Sequence, residues 1–132
     1  MNRQVAVPQR AGEAEPHLRI IVVEDDALIG MLLAEMLVEM GHDVCAIEAT
    51  EEGAVASAAL CHPDVMIVDA WLGDGSGISA IDKILAIGAM PHVFVSGDLA
   101  RVRKLRPDSV MVQKPYREAE LANAIHQAVA KH

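Results

Sequence analysis

Glu24, Asp25, Asp69, Ser96 and Lys114 share a kind of position: each stands where a short apolar run gives way to polar sequence. Carboxylates, a hydroxyl and an ammonium brought to one place suit phosphoryl chemistry. An aspartate can be the nucleophile, and the transfer then depends mainly on positioning and charge neutralisation. Carboxylates crowded together repel one another, and a hard divalent cation among them relieves that repulsion. Magnesium is the natural guest, because it takes oxygen ligands and keeps some of its waters. Lys114 and Ser96 supply a cation and a hydroxyl for the phosphoryl oxygens.

The elements that must position these groups are legible as alternating patterns. Apolar runs at Leu18–Val23, Val44–Ile47, Val65–Val68, His92–Val95 and Val110–Val112 read as strands, and their continuous apolar character suits burial on both faces. Ala27–Met40 reads as a helix with Asp26 as N-cap and Gly41 as its stop, and Thr50 with Glu51 and Glu52 opens a second. Ser76 to Ile87 makes a third, with Gly88 behind it. Glu118–Val129 carries Leu121, Ala124, Ile125, Ala128 and Val129 along one side, and Leu99–Arg106 has the faintest helical pattern. Strands alternating with helices imply right-handed crossovers and a parallel sheet covered on both faces. In such α/β sheets ligands bind at the carboxyl ends of the strands, where the five residues above stand.

The chain has 132 residues, enough for one core without disulfides or a structural metal. It is 52% apolar and only 2% aromatic, so that core is aliphatic. Apolar runs are too short for a membrane span and the N-terminus lacks a secretion signal, so a soluble cytoplasmic protein is expected. A net charge of −8 disfavours direct nucleic-acid binding. Cys45 and Cys61 form no metal-spaced pair and read as small buried hydrophobes. The six histidines are scattered without ligand spacing. Residues 1–17 mix Arg, Gln, Pro, Gly and Glu without periodicity and read as a flexible extension, leaving 18–132 as the folded domain.

The runs Val22-Val23-Glu24-Asp25-Asp26, Val68-Asp69-Ala70-Trp71-Leu72-Gly73-Asp74-Gly75-Ser76-Gly77, Val95-Ser96-Gly97 and Gln113-Lys114-Pro115-Tyr116 resemble the receiver domains of bacterial two-component response regulators. The resemblance spans residues 18–131 in the right order. It implies a flavodoxin-like five-stranded parallel sheet in the order 2-1-3-4-5. It implies that Asp69 is the phosphoacceptor, that Asp25 binds Mg2+ directly and Glu24 through water, and that the Trp71 backbone carbonyl completes the metal shell. Ser96 would hydrogen-bond the phosphoryl group and Lys114 would pair with it, across a cis bond to Pro115. The phosphodonor would be a histidine kinase or a histidine phosphotransfer protein, and the output a phosphorylation-dependent contact with a downstream protein, onward phosphotransfer, or a homodimer. Self-phosphorylation and slow self-dephosphorylation would then be its chemistry, without substrate turnover. The chain ends soon after its last helix, which points to a stand-alone receiver.

Departures from the family pattern fall on the readout side. The stretch between Ser96 and Lys114 is short, so the fourth helix is expected to be short, distorted or missing. Met111 stands three before Lys114, where receivers usually carry an aromatic switch, and Gly73 replaces a common proline, which would make that loop more flexible. Trp71, two after Asp69, is expected to overhang the acceptor and slow hydrolysis. Plainer explanations exist for single residues. Glu24-Asp25-Asp26 could be an acidic helix cap, as Asp26 alone is expected to be, Asp69 a turn residue and Lys114 a solvated strand end. Arg101, Arg103, Lys104 and Arg106 read as a solvated face. Two whole-chain alternatives remain: a degenerate receiver that docks without phosphorylation, and a magnesium-dependent phosphatase with an aspartyl nucleophile. The phosphatase would want a second acid at position 71 and a substrate cap. A mononucleotide binder would need a Gly/Ser/Thr cradle where Glu24 and Asp25 stand.

Overall fold

The computed structural model describes residues 17–131. Its strands are β1 (Arg19–Val23), β2 (Asp43–Glu48), β3 (Val65–Asp69), β4 (His92–Ser96) and β5 (Val110–Gln113). Its helices are α1 (Ala27–Glu39), α2 (Glu51–Cys61), α3 (Gly77–Leu85), α4 (Leu99–Leu105) and α5 (Glu118–Ala130). The strands are parallel throughout and lie in the order β2-β1-β3-β4-β5, the doubly wound arrangement expected from the sequence.

Side chains alternate across the sheet and so divide the core in two. Ile20, Val22 and Ile67 face Leu33 and Leu37 of α1 and Leu121 and Ile125 of α5. Ile21, Met66, Val68 and Phe94 face Ala54 and Ala58 of α2, Ile78 and Ile81 of α3, and Val102 of α4. Burying each of the larger aliphatic side chains contributes about 1.5–3 kcal/mol. Continuous burial holds for β1, β3 and β4 but not for β2 and β5, which are largely half-buried because they lie at the sheet's two edges.

Short polar side chains start the first four helices. Asp26 accepts from Ile29 N, Thr50 from Gly53 N, Ser76 from Ser79 N and Asp98 from Arg101 N, each cap stabilising by about 1 kcal/mol. Gly41 ends the turn after α1 with φ +98°, a left-handed conformation that costs glycine nothing. The expected shortening of the fourth helix is found: α4 has seven residues, of which Val102 is the buried one. α3 ends at Leu85, short of the expected Ile87.

Cys45 and Cys61 are half-buried rather than buried, and the Cys61 thiol contacts the Cys45 carbonyl at 4.0 Å. Among the described residues no helix is long and apolar enough to cross a membrane. Residues 1–16 of the expected extension lie outside the described residues. His17 Nε2 lies 2.8 Å from Asp43 Oδ2.

Candidate functional site

Parallel register brings the ends of the strands together. Asp69 pairs with Val95 and Ser96 with Gln113 across the sheet. The backbone N–H of Lys114 continues the ladder to the Ser96 carbonyl at 2.8 Å, and that of Glu24 does the same to the Glu48 carbonyl at 2.8 Å. The sequence-selected Glu24, Asp69, Ser96 and Lys114 therefore sit along one edge, with Asp25 on the loop leading to α1.

Lys114 ties two of the acids together. Its Nζ lies 2.9 Å from Asp69 Oδ2 and 3.3 Å from Glu24 Oε1, and its peptide bond to Pro115 is cis. Burial opposes the Lys114 ammonium, but the Asp69 and Glu24 carboxylates outweigh it and hold its pKa above the ordinary lysine value. Glu24 is 5% exposed, and burial pushes its pKa up. The Asp26 N–H bonded to its Oε2 opposes that rise, while the charge of Asp69 adds to it. Tyr116 is likewise raised by burial, against the Lys114 charge.

Backbone donors hold the other acid oxygens. Trp71 N donates to Asp69 Oδ1 at 3.0 Å, and Gly73 N donates to Asp25 Oδ2 at 2.9 Å. The second bond changes the meaning of Gly73: proline there has no N–H to give, so this glycine anchors an acid instead of merely loosening the loop. Ser96 is 1% exposed, and its hydroxyl accepts from Asp98 N at 3.0 Å, leaving its own proton to donate.

One oxygen each from Glu24, Asp25 and Asp69 lie within 4.8 Å of one another. The donor set is all oxygen and anionic, which fits a hard divalent cation such as Mg2+ better than a soft or nitrogen-seeking metal. Asp26 stands apart as the α1 cap, as expected.

Some supporting residues escaped the sequence. A Cβ on Gly77 would fall 1.9 Å from the Asp69 carbonyl oxygen, so the start of α3 presses on the end of β3 where only glycine fits. Glu51, visible in sequence only as a helix start, accepts from Ser76 N at 2.8 Å and meets Lys83 Nζ at 3.2 Å. The basic α4 segment is not simply a solvated face. Arg101 lies over the Trp71 ring at 4.0 Å and Arg106 pairs with Asp82. Beside the site, a cleft of about 430 Å3 runs between Ile29, Leu32 and Met36 of α1 and the Lys114–Tyr116 segment.

Comparison with known proteins identifies the family and the fold. A family profile described as the response regulator receiver domain matches residues 20–126. The chain is 32% identical over 128 residues to the transcriptional regulatory protein PdtaR of Mycobacterium tuberculosis, covering 94% of this chain and 62% of that protein. Its fold superposes on the response regulator PhyR of Brucella abortus with a TM-score of 0.81 at 27% identity, covering 89% of this chain and 50% of PhyR. The receiver domain of Erythrobacter litoralis PhyR gives 0.77 at 31% identity, covering 86% of this chain and 91% of that domain. The chain thus spans less than two thirds of the length of PdtaR and half that of Brucella PhyR.

Proposed function

The chain belongs to the response regulator receiver domain family, and from that premise we propose that Asp69 accepts a phosphoryl group from a phosphohistidine, the folded unit being residues 18–132. The observation that carries this reading is the Lys114 ammonium 2.9 Å from an Asp69 carboxylate that also belongs to a cluster of three acids. In the transfer an Asp69 oxygen attacks phosphorus, the bond from phosphorus to the imidazole nitrogen breaks, and the imidazole leaves with that electron pair. Lys114 moves from the free carboxylate to a phosphoryl oxygen, and the Ser96 hydroxyl donates to another. Glu24, Asp25 and Asp69, with the Trp71 carbonyl, would hold Mg2+, which when bound neutralises the acids and the transferring phosphoryl charge.

The donor is a histidine kinase or a histidine phosphotransfer protein. Leu28, Ile29, Met31 and Leu32 are exposed on α1 beside the cleft, an apolar strip on which a donor's helix can lie. The unit works in the cytoplasm and turns over no free substrate, since Trp71 occupies the place where an aspartyl phosphatase would want its second acid. Output is a contact with a downstream protein or a second copy, or onward transfer of the phosphoryl group.

Intact-mass measurement with Mg2+ and acetyl phosphate tests this. One phosphoryl adduct in the wild type and none in Asp69→Asn is expected. No adduct from acetyl phosphate or any phosphohistidine donor would leave the phosphorylation-independent docking module in its place, and sustained release of product from a free substrate would indicate the phosphatase.

A further inference from the structure

The Trp71 residue joins two parts of the molecule. Its backbone N–H holds Asp69 Oδ1, while its ring packs against the core layer beneath α4 with the Arg101 guanidinium 4.0 Å above it. Arg101 pairs with no carboxylate among the described residues, so the aromatic face is its principal partner. The Trp71 indole N–H is buried without an acceptor among the described residues. Leaving a buried donor unpaired is unfavourable, and the ring holds this position because something else fixes it there. A second tether runs from α4 to the site, since the N–H of its cap Asp98 donates to Ser96 Oγ. α4 itself is lightly held, with Val102 its buried residue.

We propose that Arg101 is a positioning residue that clamps the Trp71 ring against the acceptor loop, so that the lifetime of a phosphoryl group on Asp69 depends on whether Arg101 stacks on Trp71. This rests on Asp69 being the acceptor. In hydrolysis, water oxygen attacks phosphorus and the bond from phosphorus to Asp69 oxygen breaks. The carboxylate is regenerated, and the water protons leave with inorganic phosphate or pass to solvent. A clamped ring hinders the approach of that water. By reciprocity, a phosphoryl group that favours the clamped ring favours the stacked Arg101, which makes α4 sensitive to the acceptor. The link would replace the aromatic switch that Met111 cannot provide.

Trp71 is the single tryptophan of the chain, so its emission reports this ring alone. The test measures acyl-phosphate lifetime after removal of acetyl phosphate in wild type, Arg101→Ala, Arg101→Lys, Arg103→Ala and Trp71→Asn, and tryptophan emission with acrylamide quenching in all of these but Trp71→Asn. Arg101→Ala should lose its phosphoryl group about fivefold faster than wild type and expose the indole to quencher. Arg101→Lys should restore part of both effects, Trp71→Asn should be at least as short-lived as Arg101→Ala, and Arg103→Ala should match wild type. Unchanged lifetime or unchanged quenching in Arg101→Ala overturns the proposal. Absence of any adduct in the wild type would instead overturn the acceptor reading, a failure that the intact mass separates from the first.

Discussion

At the carboxyl edge of β1 and β3 the charged groups are held from several directions, whereas α4 is attached by a handful of contacts. Lys114 bridges Asp69 and Glu24, Trp71 N holds the other Asp69 oxygen, and Gly73 N holds Asp25. Beneath them Val22, Val23, Ile67 and Val68 are at most 1% exposed. α4 has one buried side chain, a cap bonded to Ser96, a stacked Arg101 and an ion pair from Arg106 to Asp82. The difference separates a part that must not move from a part that can respond. Acids held by several bonds over a buried sheet edge change position little, and elements held by few apolar contacts open at low free-energy cost.

Gly77→Ala should break the comparison most severely, because its Cβ collides with the Asp69 backbone. A loss of at least about 3 kcal/mol is expected, read as a large drop in denaturant midpoint. A near-wild-type midpoint would mean that the loop after β3 is far softer than described. Lys114→Ala should leave Asp69 and Glu24 without their shared cation and slow phosphoryl uptake about a hundredfold or more, while its α4 amides exchange as in wild type.

Val102→Ala should act on the other region, destabilising by roughly 1–2 kcal/mol through loss of buried methyl groups. Hydrogen exchange should rise in α4 and the neighbouring ends of β4 and β5, with uptake of the phosphoryl group retained. If uptake fell as in Lys114→Ala, the two regions would not be separable. Glu51→Gln is the gentlest probe, expected to cost about 0.5–1 kcal/mol at neutral pH. The Glu51 pKa is lowered, first by the Ser76 N–H and then by its side-chain partners. Because the folded state binds this proton less readily than the unfolded chain, the contribution is present above the ordinary carboxylate range and is lost as pH falls through the lowered folded value. Thermal melts of wild type and Glu51→Gln should therefore converge in acid.

What could be read in the sequence was what local pattern encodes. Apolar runs ending in Glu24, Asp69, Ser96 and Lys114 marked the strands and the edge together, and Asp26, Thr50 and Ser76 marked helix starts by their capping chemistry. Element ends were displaced by a residue or two, as at β2 and α3, where half-burial and a frayed turn blur the pattern. Contacts between distant segments were not legible. Nothing near Glu51 announces that it reaches Ser76, and nothing in the basic run from Arg101 distinguishes the one that lies on Trp71. The role of Gly77 was hidden for the same reason, since it depends on the carbonyl of Asp69 across the loop.

The sheet that divides the core also divides the traffic on this molecule. α1 and α5 belong to one layer and α2, α3 and α4 to the other. If the phosphodonor lies along α1 as proposed, it leaves the α4 surface open, and a second protein on α4 would not compete with it for space.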